Sequence, residues 1–443
     1  MLDRRTPWMK FKNSLSWLFE SDITEGLLLI AGVVIALVAM NSPWHDAYYH
    51  FWQKELLIEV GEWRLKQNFH HLVNDGLMAL FFFLVGLEIK REVVAGELST
   101  WRKAILPVFA ALGGMVLPAI IYLIVVPGGA MRNGWGIPMA TDIAFALVLL
   151  RVLRNRVPLG LQVFLAALAV ADDLGAIVII AVFYTDTIVV GALIIAFAAF
   201  ALLLIANKLG VRSPGFYAAV GILGIWLAIL QSGVHATIAG VLIAMAIPAN
   251  KLVRDKNFPK RVQKLGRKFD DKKSTEDEMM TEPQLEVLQR VNKLTLATAP
   301  PLQRIERQLS PFVSYVVLPL FALSNAGVRF SGDWQESLFN PVSIGIVAGL
   351  VIGKVVGIML FTRMVTWLNL ASIPANIKWN HLLGAACFAG IGFTMSLFIA
   401  QLAFDNESLI QSAKMGILIA STIAAALGLG IFLKTTKPVK GLE

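Results

Sequence analysis

The sequence predicts an all-α membrane protein with about twelve transmembrane helices. Three observations support this class: 57% of the 443 residues are hydrophobic, only 16% are charged, and the mean hydropathy is +0.68. Soluble domains carry roughly 25% charged residues. The net charge of +9 does not indicate nucleic-acid binding, because the basic residues lie almost entirely between apolar runs. We therefore expect a polytopic chain that contacts membrane lipid and has no nucleic-acid partner.

Twelve apolar runs, numbered here as spans 1 to 12 in chain order, are each close to the length that crosses a hydrocarbon core. They cover residues 24–41, 72–89, 104–126, 135–150, 159–183, 188–206, 214–231, 234–249, 311–329, 341–362, 380–403 and 408–433. Threading them with the N-terminus inside places most of the 39 Lys and Arg on one side of the membrane. The positive-inside rule then predicts that both termini are cytoplasmic.

The segments outside the spans complete the predicted organisation. Residues 1–23 form a cytoplasmic N-terminal segment with no signal-peptide cleavage site, and residues 434–443 form a cytoplasmic tail. Spans 1–8 occupy 24–249 and spans 9–12 occupy 311–433. Between these blocks, residues 250–310 form a charged cytoplasmic loop, either a plain linker or a regulatory segment, with a helix near 284–296 where the apolar spacing is helical.

A second extramembrane segment, residues 42–71, follows span 1. Within it, residues 56–60 and 63–66 flank Gly61 and Glu62 in a weak β-hairpin pattern. We interpret this segment as a candidate partner surface.

Two adjacent carboxylates in the middle of span 5 are the most informative feature. Asp172 and Asp173 lie in the otherwise uncharged run LAALAVADDLGAIVIIAVF. An ionised side chain at a helix centre costs about 2.5 to 3.5 kcal/mol on insertion scales, so it is retained where water or partners compensate. Adjacent side chains point about 100° apart on a helix. The two carboxylates should therefore have separate roles.

Span 4 is predicted to be a broken helix. Gly136 and Pro138 precede Thr141 and Asp142 in this short span. Irregular backbone is tolerated at membrane depth only where it is buried in protein or lines a cavity. Thr141 would supply a hydroxyl oxygen there and Asp142 a carboxylate oxygen.

The fourth charged residue of this group is Lys354, which lies among glycines in span 10 and needs one of the aspartates as its counter-ion. With Asp142, Asp172 and Asp173 ionised, the site would carry roughly minus two charges. Oxygen ligands suit a hard cation, and the single cysteine offers no thiolate cluster for zinc or copper. The alternative is that these charges only pair with one another and connect helices.

Spans 4 and 11 form a pair of interrupted helices. The run GAACFAGIGFTMS in span 11 favours close backbone approach or a helix break. Paired interruptions in corresponding positions of two halves are typical of inverted-repeat transporters, whose binding site lies between the repeats. The sequence therefore predicts a midplane site between two crossed, broken helices, to which spans 5 and 10 contribute Asp172, Asp173 and Lys354.

Six motifs, NDGLMALFFFLVGLEIKRE, ATDIAFAL, ADDLGAI, SGVHATIAG, LPLFALSNAGV and GIGFTMSLFIA, resemble those of the NhaA family of sodium/proton antiporters from end to end. The resemblance implies twelve helices with inverted repeats around spans 3–5 and 10–12, a fold already known in this family. It also implies a bacterial inner-membrane location and a homodimer formed through the hairpin at 56–66.

The resemblance also implies residue roles. Asp172 and Asp173 would carry the sodium ion and the protons, and Thr141 and Asp142 would be their neighbours in the same cation- and proton-binding site. Lys354 would be the charge-compensating partner of Asp172. The positions that it links to pH regulation are Glu88, Arg91, Glu92, His235 and Glu306. A solvated helix end explains the charges at 88–92 equally well, and His235 is either a pH switch or a packing histidine.

The function implied is electrogenic, pH-regulated exchange of cytoplasmic Na+ or Li+ for external H+, without a cofactor and without enzymatic activity. The ion and the protons would compete for the same carboxylate oxygens. The alternative is a sodium-coupled symporter of an organic anion on the same fold. An intramembrane aspartyl protease is disfavoured, because the YD and GxGD contexts of its two aspartates do not occur.

Overall fold

The computed structural model describes residues 22–60, 63–153, 156–185, 188–251, 258–270, 280–330, 334–374 and 376–435. Most of the predicted segments 1–23 and 434–443 therefore lies outside the described residues, as does the turn formed by Gly61 and Glu62. Within the described ranges the chain is helical apart from one two-stranded sheet. The all-α class is thus confirmed.

Each predicted span coincides with helix, and the span numbers are kept below. Spans 1 to 6 are Asp22–Met40, Phe69–Ala95, Trp101–Val125, Gly129–Val152, Leu159–Phe183 and Val190–Lys208. Spans 7 to 12 are Pro214–Ser232, Thr237–Ala246, 301–325, Pro341–Trp367, the pair Trp379–Ala389 and Phe393–Ala403, and Glu407–Thr435. In the described part of the chain, eight helices are long and apolar enough to cross a membrane, or up to ten if each of two bent pairs is one span.

Spans 8 and 9 are not among these long apolar helices. Span 8 has a helix of only 10 residues, about 15 Å long. Span 9 begins at Pro301, ten residues before the predicted start, and its first turns carry Arg304, Glu306 and Arg307. Proline is favoured in the first turn of a helix because its missing N–H would be unpaired there in any case. These charges lower the local hydropathy and so conceal the start of the helix.

The segment after span 1, predicted to be extramembrane, contains the helix His45–Gln53 and two strands, β1 (Glu55–Val60) and β2 (Trp63–Asn68). The strands pair antiparallel, with Glu55 opposite Asn68 and Val60 opposite Trp63. This pairing confirms the predicted hairpin. The charged segment between spans 8 and 9 contains the helices Phe258–Asp270 and Glu282–Thr298, and the second covers the predicted helical stretch 284–296.

Two sets of three spans repeat the same arrangement of a continuous, a broken and a second continuous helix. Spans 3 to 5 form one set and spans 10 to 12 the other. Span 3 packs against span 10 at Gly113 and Gly357, where a Cβ on either glycine would overlap the carbonyl group of the other. The predicted inverted-repeat arrangement therefore places the two broken spans face to face.

Candidate functional site

Span 4 is broken at the residues that carry its polar side chains. A 3₁₀ helix, Gly129–Met139, ends at Met139, and an α-helix, Ile143–Val152, begins after Asp142. The intervening Ala140 and Asp142 have extended backbone angles. Asp142 caps the second helix, because its Oδ1 accepts a hydrogen bond from the Phe145 N–H at 3.0 Å. The predicted break is confirmed, and it buries Thr141 and Asp142.

Span 11 is broken at Gly390 to Gly392, and its two helices are bent by 43°. Gly390 allows a close approach, since a Cβ there would lie 2.6 Å from the Leu350 carbonyl oxygen of span 10. The small-residue run predicted this interruption. The break exposes the backbone groups of both helix ends to the neighbouring span 4.

The two breaks cross and hydrogen-bond to each other. The Asp142 N–H donates to the Ile391 carbonyl at 2.7 Å, and the Thr141 hydroxyl donates to the Ala389 carbonyl at 2.8 Å. In return, the N–H and the hydroxyl of Thr394 donate to Asp142 Oδ2 at 3.0 and 2.6 Å. Backbone groups freed by each break are thus satisfied by the other span.

This pattern gives Asp142 a specific electrostatic position. Its two carboxylate oxygens accept hydrogen bonds at the start of two helices, Ile143–Val152 and Phe393–Ala403. A helix N-terminus carries a partial positive charge that stabilises an anion. The Asp142 carboxylate therefore compensates two helix ends, and its oxygens are already engaged.

Lys354 and Asp172 form a buried ion pair beside this crossing. The Lys354 ammonium donates to Asp172 Oδ2 at 2.8 Å, and the two side chains are 0% and 1% exposed. The ammonium also donates to the carbonyl oxygen of Met139, the last residue of the 3₁₀ helix. Lys354 therefore connects span 10 with both span 5 and the break in span 4.

Asp173 differs from its neighbour. It is only 3% exposed, and it lies within electrostatic range of Asp172, Glu88, Asp142 and Lys354. Within the described residues, Asp173 Oδ2 and Asp172 Oδ1 are buried without a hydrogen-bond partner. Buried carboxylate oxygens of this kind are costly unless a proton or a cation binds them. The adjacent aspartates thus have separate environments. Each has one carboxylate oxygen without a hydrogen-bond partner within the described residues.

Four of the five residues linked to pH regulation come together at one end of span 2. Arg91 forms an ion pair with Glu306 of span 9, and its guanidinium lies 3.3 Å from Glu92 Oε1. Glu88 lies one turn before Glu92 and is also within electrostatic range of Asp173. This group therefore joins one end of span 2 to the start of span 9, and Glu88 extends it toward the buried Asp173.

His235 does not belong to that group. Its Nε2 lies 3.7 Å from Asp75 Oδ1, and its Nδ1 lies 3.0 Å from the Thr237 hydroxyl. Asp75 and Glu88 are thirteen residues apart on the span 2 helix, which corresponds to about 20 Å. His235 also lines a cavity of about 950 Å³ near the hairpin. The structure therefore separates His235 from the other four residues.

The family model described as Na+/H+ antiporter 1 matches residues 16–432. The chain belongs to this family. A protein of Syntrophobacter fumaroxidans is 46% identical over 409 residues, covering 91% of this chain and 86% of its own. One of Acidithiobacillus ferrooxidans is 47% identical over 407 residues, covering 91% and 93%. Both are named Na(+)/H(+) antiporter NhaA.

The solved structure of a sodium proton antiporter from Methanocaldococcus jannaschii matches 93% of this chain and 92% of its own, with 14% identity and a TM-score of 0.45, a likeness too weak to argue from. Family membership and the apolar helices establish a multi-pass bacterial membrane protein. The symporter alternative finds no support among these relatives.

In this member of the antiporter family, some contacts at the site involve residues outside the predicted set. Thr394 holds Asp142, and the Ser396 hydroxyl donates to the Ile137 carbonyl at 2.9 Å. The run GIGFTMS supplies both hydroxyls, but the sequence did not indicate that Thr394 binds a carboxylate whereas Ser396 binds a backbone carbonyl. The Met139 carbonyl as a partner of Lys354 had no signal in the sequence, since any residue type supplies a carbonyl.

Proposed function

We propose that this chain exchanges Na+ or Li+ for H+ across the bacterial inner membrane, as a transporter and not an enzyme. Membership of the antiporter family supports the exchange. The observation that carries the residue assignment is the pair of buried oxygens, Asp172 Oδ1 and Asp173 Oδ2, that have no partner within the described residues. A hard cation prefers such oxygen ligands.

Exchange follows from competition for these oxygens. Asp173 holds either a proton or the cation, because the bound ion removes the free-energy gain of protonation. When Na+ binds Asp173, the carboxyl proton leaves to the side of the membrane from which the ion came. When the site faces the other side, a proton displaces the ion. Neither species crosses unless the other one crosses back.

The ion pair supplies a second proton and hence electrogenicity. If Na+ also takes Asp172 as a ligand, the Lys354 ammonium loses its carboxylate partner while it remains completely buried. A buried ammonium without an anion is costly and releases its proton. Two protons then leave for each Na+ bound, and one net charge moves per cycle. The membrane potential drives such a cycle with about 2.3 kcal/mol per charge per 100 mV.

The other site residues have supporting roles in this proposal. Asp142 and Thr141 hold the two broken helices in place, because their polar atoms already bind span 11. Glu88, Arg91, Glu92 and Glu306 regulate the pH response from the end of span 2, near the aspartates. Since His235 lies apart, any effect that it has on pH dependence acts through Asp75 and the neighbouring cavity.

Topology and assembly complete the proposal. The positive-inside bias supports cytoplasmic termini and a cytoplasmic segment at 250–310. The hairpin then lies on the opposite face, where exposed residues such as Leu57 of β1 are available to a second copy. We propose that a homodimer forms through residues 56–66.

The decisive experiment measures proton flux in acid-loaded inside-out vesicles on addition of Na+, Li+ or K+ over a range of pH. Wild type should alkalinise the lumen with Na+ and Li+, and Asp173→Asn should not. Asp46→Asn is the matched control, because Asp46 is 78% exposed in the extramembrane helix. Sodium-dependent proton exchange that persists in folded Asp173→Asn would refute the assignment of the carrier residue.

A further inference from the structure

Side chains of spans 3, 10 and 11, together with the residue directly after span 5, bind backbone carbonyls of the 3₁₀ segment Gly129–Met139. Tyr122 of span 3 donates to the Met131 carbonyl at 2.7 Å, and Tyr184, directly after span 5, donates to the Asn133 carbonyl at 2.7 Å. The Ile137 and Met139 carbonyls accept from Ser396 of span 11 and Lys354 of span 10. The two carbonyls nearest the aspartates thus belong to the site already described, whereas the two tyrosines hold the opposite end of the segment.

Tyr184 makes two hydrogen bonds to this segment. Besides donating to Asn133, its hydroxyl accepts from the Gly136 N–H at 3.2 Å. A Cβ on Gly136 would lie 2.6 Å from the same hydroxyl, and a Cβ on Gly134 would overlap the hydroxyl of Tyr122. Glycine at both positions therefore permits the tyrosines to approach the backbone.

The segment lies between the large cavity and the aspartates. The cavity of about 950 Å³ is lined by Asn133, Trp135, Phe183 and Tyr184, together with residues near the hairpin. None of Asp142, Asp172 and Asp173 contributes to that lining. The rings of Trp135 and Phe183 pack edge to face with centroids 5.1 Å apart. Spans 4 and 5 therefore pack together at this wall of the cavity, where Tyr184 also forms its hydrogen bonds to the 3₁₀ segment.

We propose that Tyr184, supported by Tyr122, is a positioning residue that latches the Gly129–Met139 segment and closes the route from this cavity to the aspartates. The inference rests on the proposed exchange function, in which the site opens alternately to the two sides of the membrane. It adds the contact that keeps the site closed toward the hairpin side. Opening toward the cavity breaks both Tyr184 hydrogen bonds and frees the segment to move away from span 5. The closed state keeps them.

The first test compares Tyr184→Phe with wild type in vesicles of both orientations. Weakening the closed state raises the population that is open to the cavity. The KM for Na+ should fall about fivefold or more on the hairpin face and rise on the opposite face, as expected from two lost hydrogen bonds. A purely structural defect would instead change both KM values in the same direction or lower only the maximal rate.

Matched variants separate the latch from the general loss of a tyrosine hydroxyl. Tyr122→Phe should shift the two KM values in the same directions as Tyr184→Phe. Tyr217→Phe should leave both unchanged, because Tyr217 is a buried tyrosine whose hydroxyl donates to the Val211 carbonyl at 3.0 Å, away from this segment. A Tyr217→Phe variant with the same opposite shifts would overturn the proposal.

The second test does not depend on transport. Ile137 is completely buried, so Ile137→Cys in a Cys387→Ala background reports whether the segment opens. A membrane-impermeant maleimide should label this cysteine several times faster from the hairpin face when Tyr184→Phe is added. An equal labelling rate with and without Tyr184→Phe would refute the latch, even if exchange is observed. Absence of sodium-dependent proton flux in wild type would refute the exchange function and leave the labelling result to decide on the latch.

Discussion

The Lys354 ammonium lies 2.8 Å from Asp172 Oδ2 in an ion pair that joins the two repeats, because Lys354 belongs to span 10 and Asp172 to span 5. Both side chains are buried. Removing one partner of such a pair leaves an uncompensated charge, which is far more costly than removing both. Because of this difference, the ion pair can be tested by measuring protein stability, without a transport assay.

We predict that Lys354→Met lowers the free energy of unfolding by about 3 to 5 kcal/mol, because it leaves the Asp172 carboxylate buried without its cation. The double variant Lys354→Met, Asp172→Asn should recover a large part of this loss. Thermal or denaturant unfolding of the purified proteins in detergent provides the comparison. A double variant that is no more stable than Lys354→Met would contradict the interpretation.

The hydroxyl of Thr394 is expected to matter more than its methyl group. Thr394→Val removes the 2.6 Å hydrogen bond to Asp142 but keeps the backbone one at 3.0 Å. Hydrogen bonds to charged groups contribute about 1.5 to 3 kcal/mol, and we expect a loss of stability of that size. Thr394→Ser retains the hydroxyl and should stay within about 0.5 kcal/mol of wild type. Equal stability of the Val and Ser variants would show that the hydroxyl does not anchor the crossing.

Arg91 and Glu306 should act as one unit in the pH response. The ion pair connects span 2 with span 9, and the Glu306 side chain is 11% exposed. We expect each of the single variants Arg91→Gln and Glu306→Gln to displace the pH of half-maximal sodium-dependent exchange. The double variant should be displaced by less than the sum of the two, because each single change already removes the shared contact. The measurement is the pH profile of proton flux in inside-out vesicles. Glu55→Gln, an exposed carboxylate in the hairpin, is the control, and strict additivity of the two displacements would exclude coupling.

Hydropathy predicted the spans well where they are uncharged and less well where a helix carries charges near its end. Spans 3, 5 and 10 begin within three residues of their predicted starts, because few charges interrupt them. Span 9 begins ten residues earlier than predicted, since its polar first turns continue the helix outside the apolar run. Helix continuity depends on backbone hydrogen bonding, whereas hydropathy reports only the part of a helix that suits lipid.

The site was predictable in its residue types but not in all of its contacts. Intramembrane charge identified Asp172, Asp173, Asp142 and Lys354, because burial of charge is costly wherever it occurs. The sequence did not indicate that both oxygens of Asp142 are engaged by two helix starts. That contact depends on how the broken spans cross, which is a property of the tertiary structure. For the same reason, the resemblance that linked His235 and Glu88 to pH regulation did not indicate that His235 lies near Asp75, about 20 Å from Glu88 along span 2.

The crossing of spans 3 and 10 should tolerate no side chain at its contact point. A Cβ on Gly113 would lie 2.7 Å from the ring of Phe361 and overlap the Gly357 carbonyl. Overpacking of this kind typically costs about 1 to 3 kcal/mol, so Gly113→Ala should destabilise the protein by that amount. It should also slow exchange, because the helices of the two repeats must separate to make room for the added methyl group. Gly191→Ala is the matched control, since no atom lies within 4 Å of a Cβ at that position. Unfolding in detergent and proton flux in vesicles test both variants. If Gly113→Ala is as stable and active as Gly191→Ala, the close contact between the repeats does not determine how they pack.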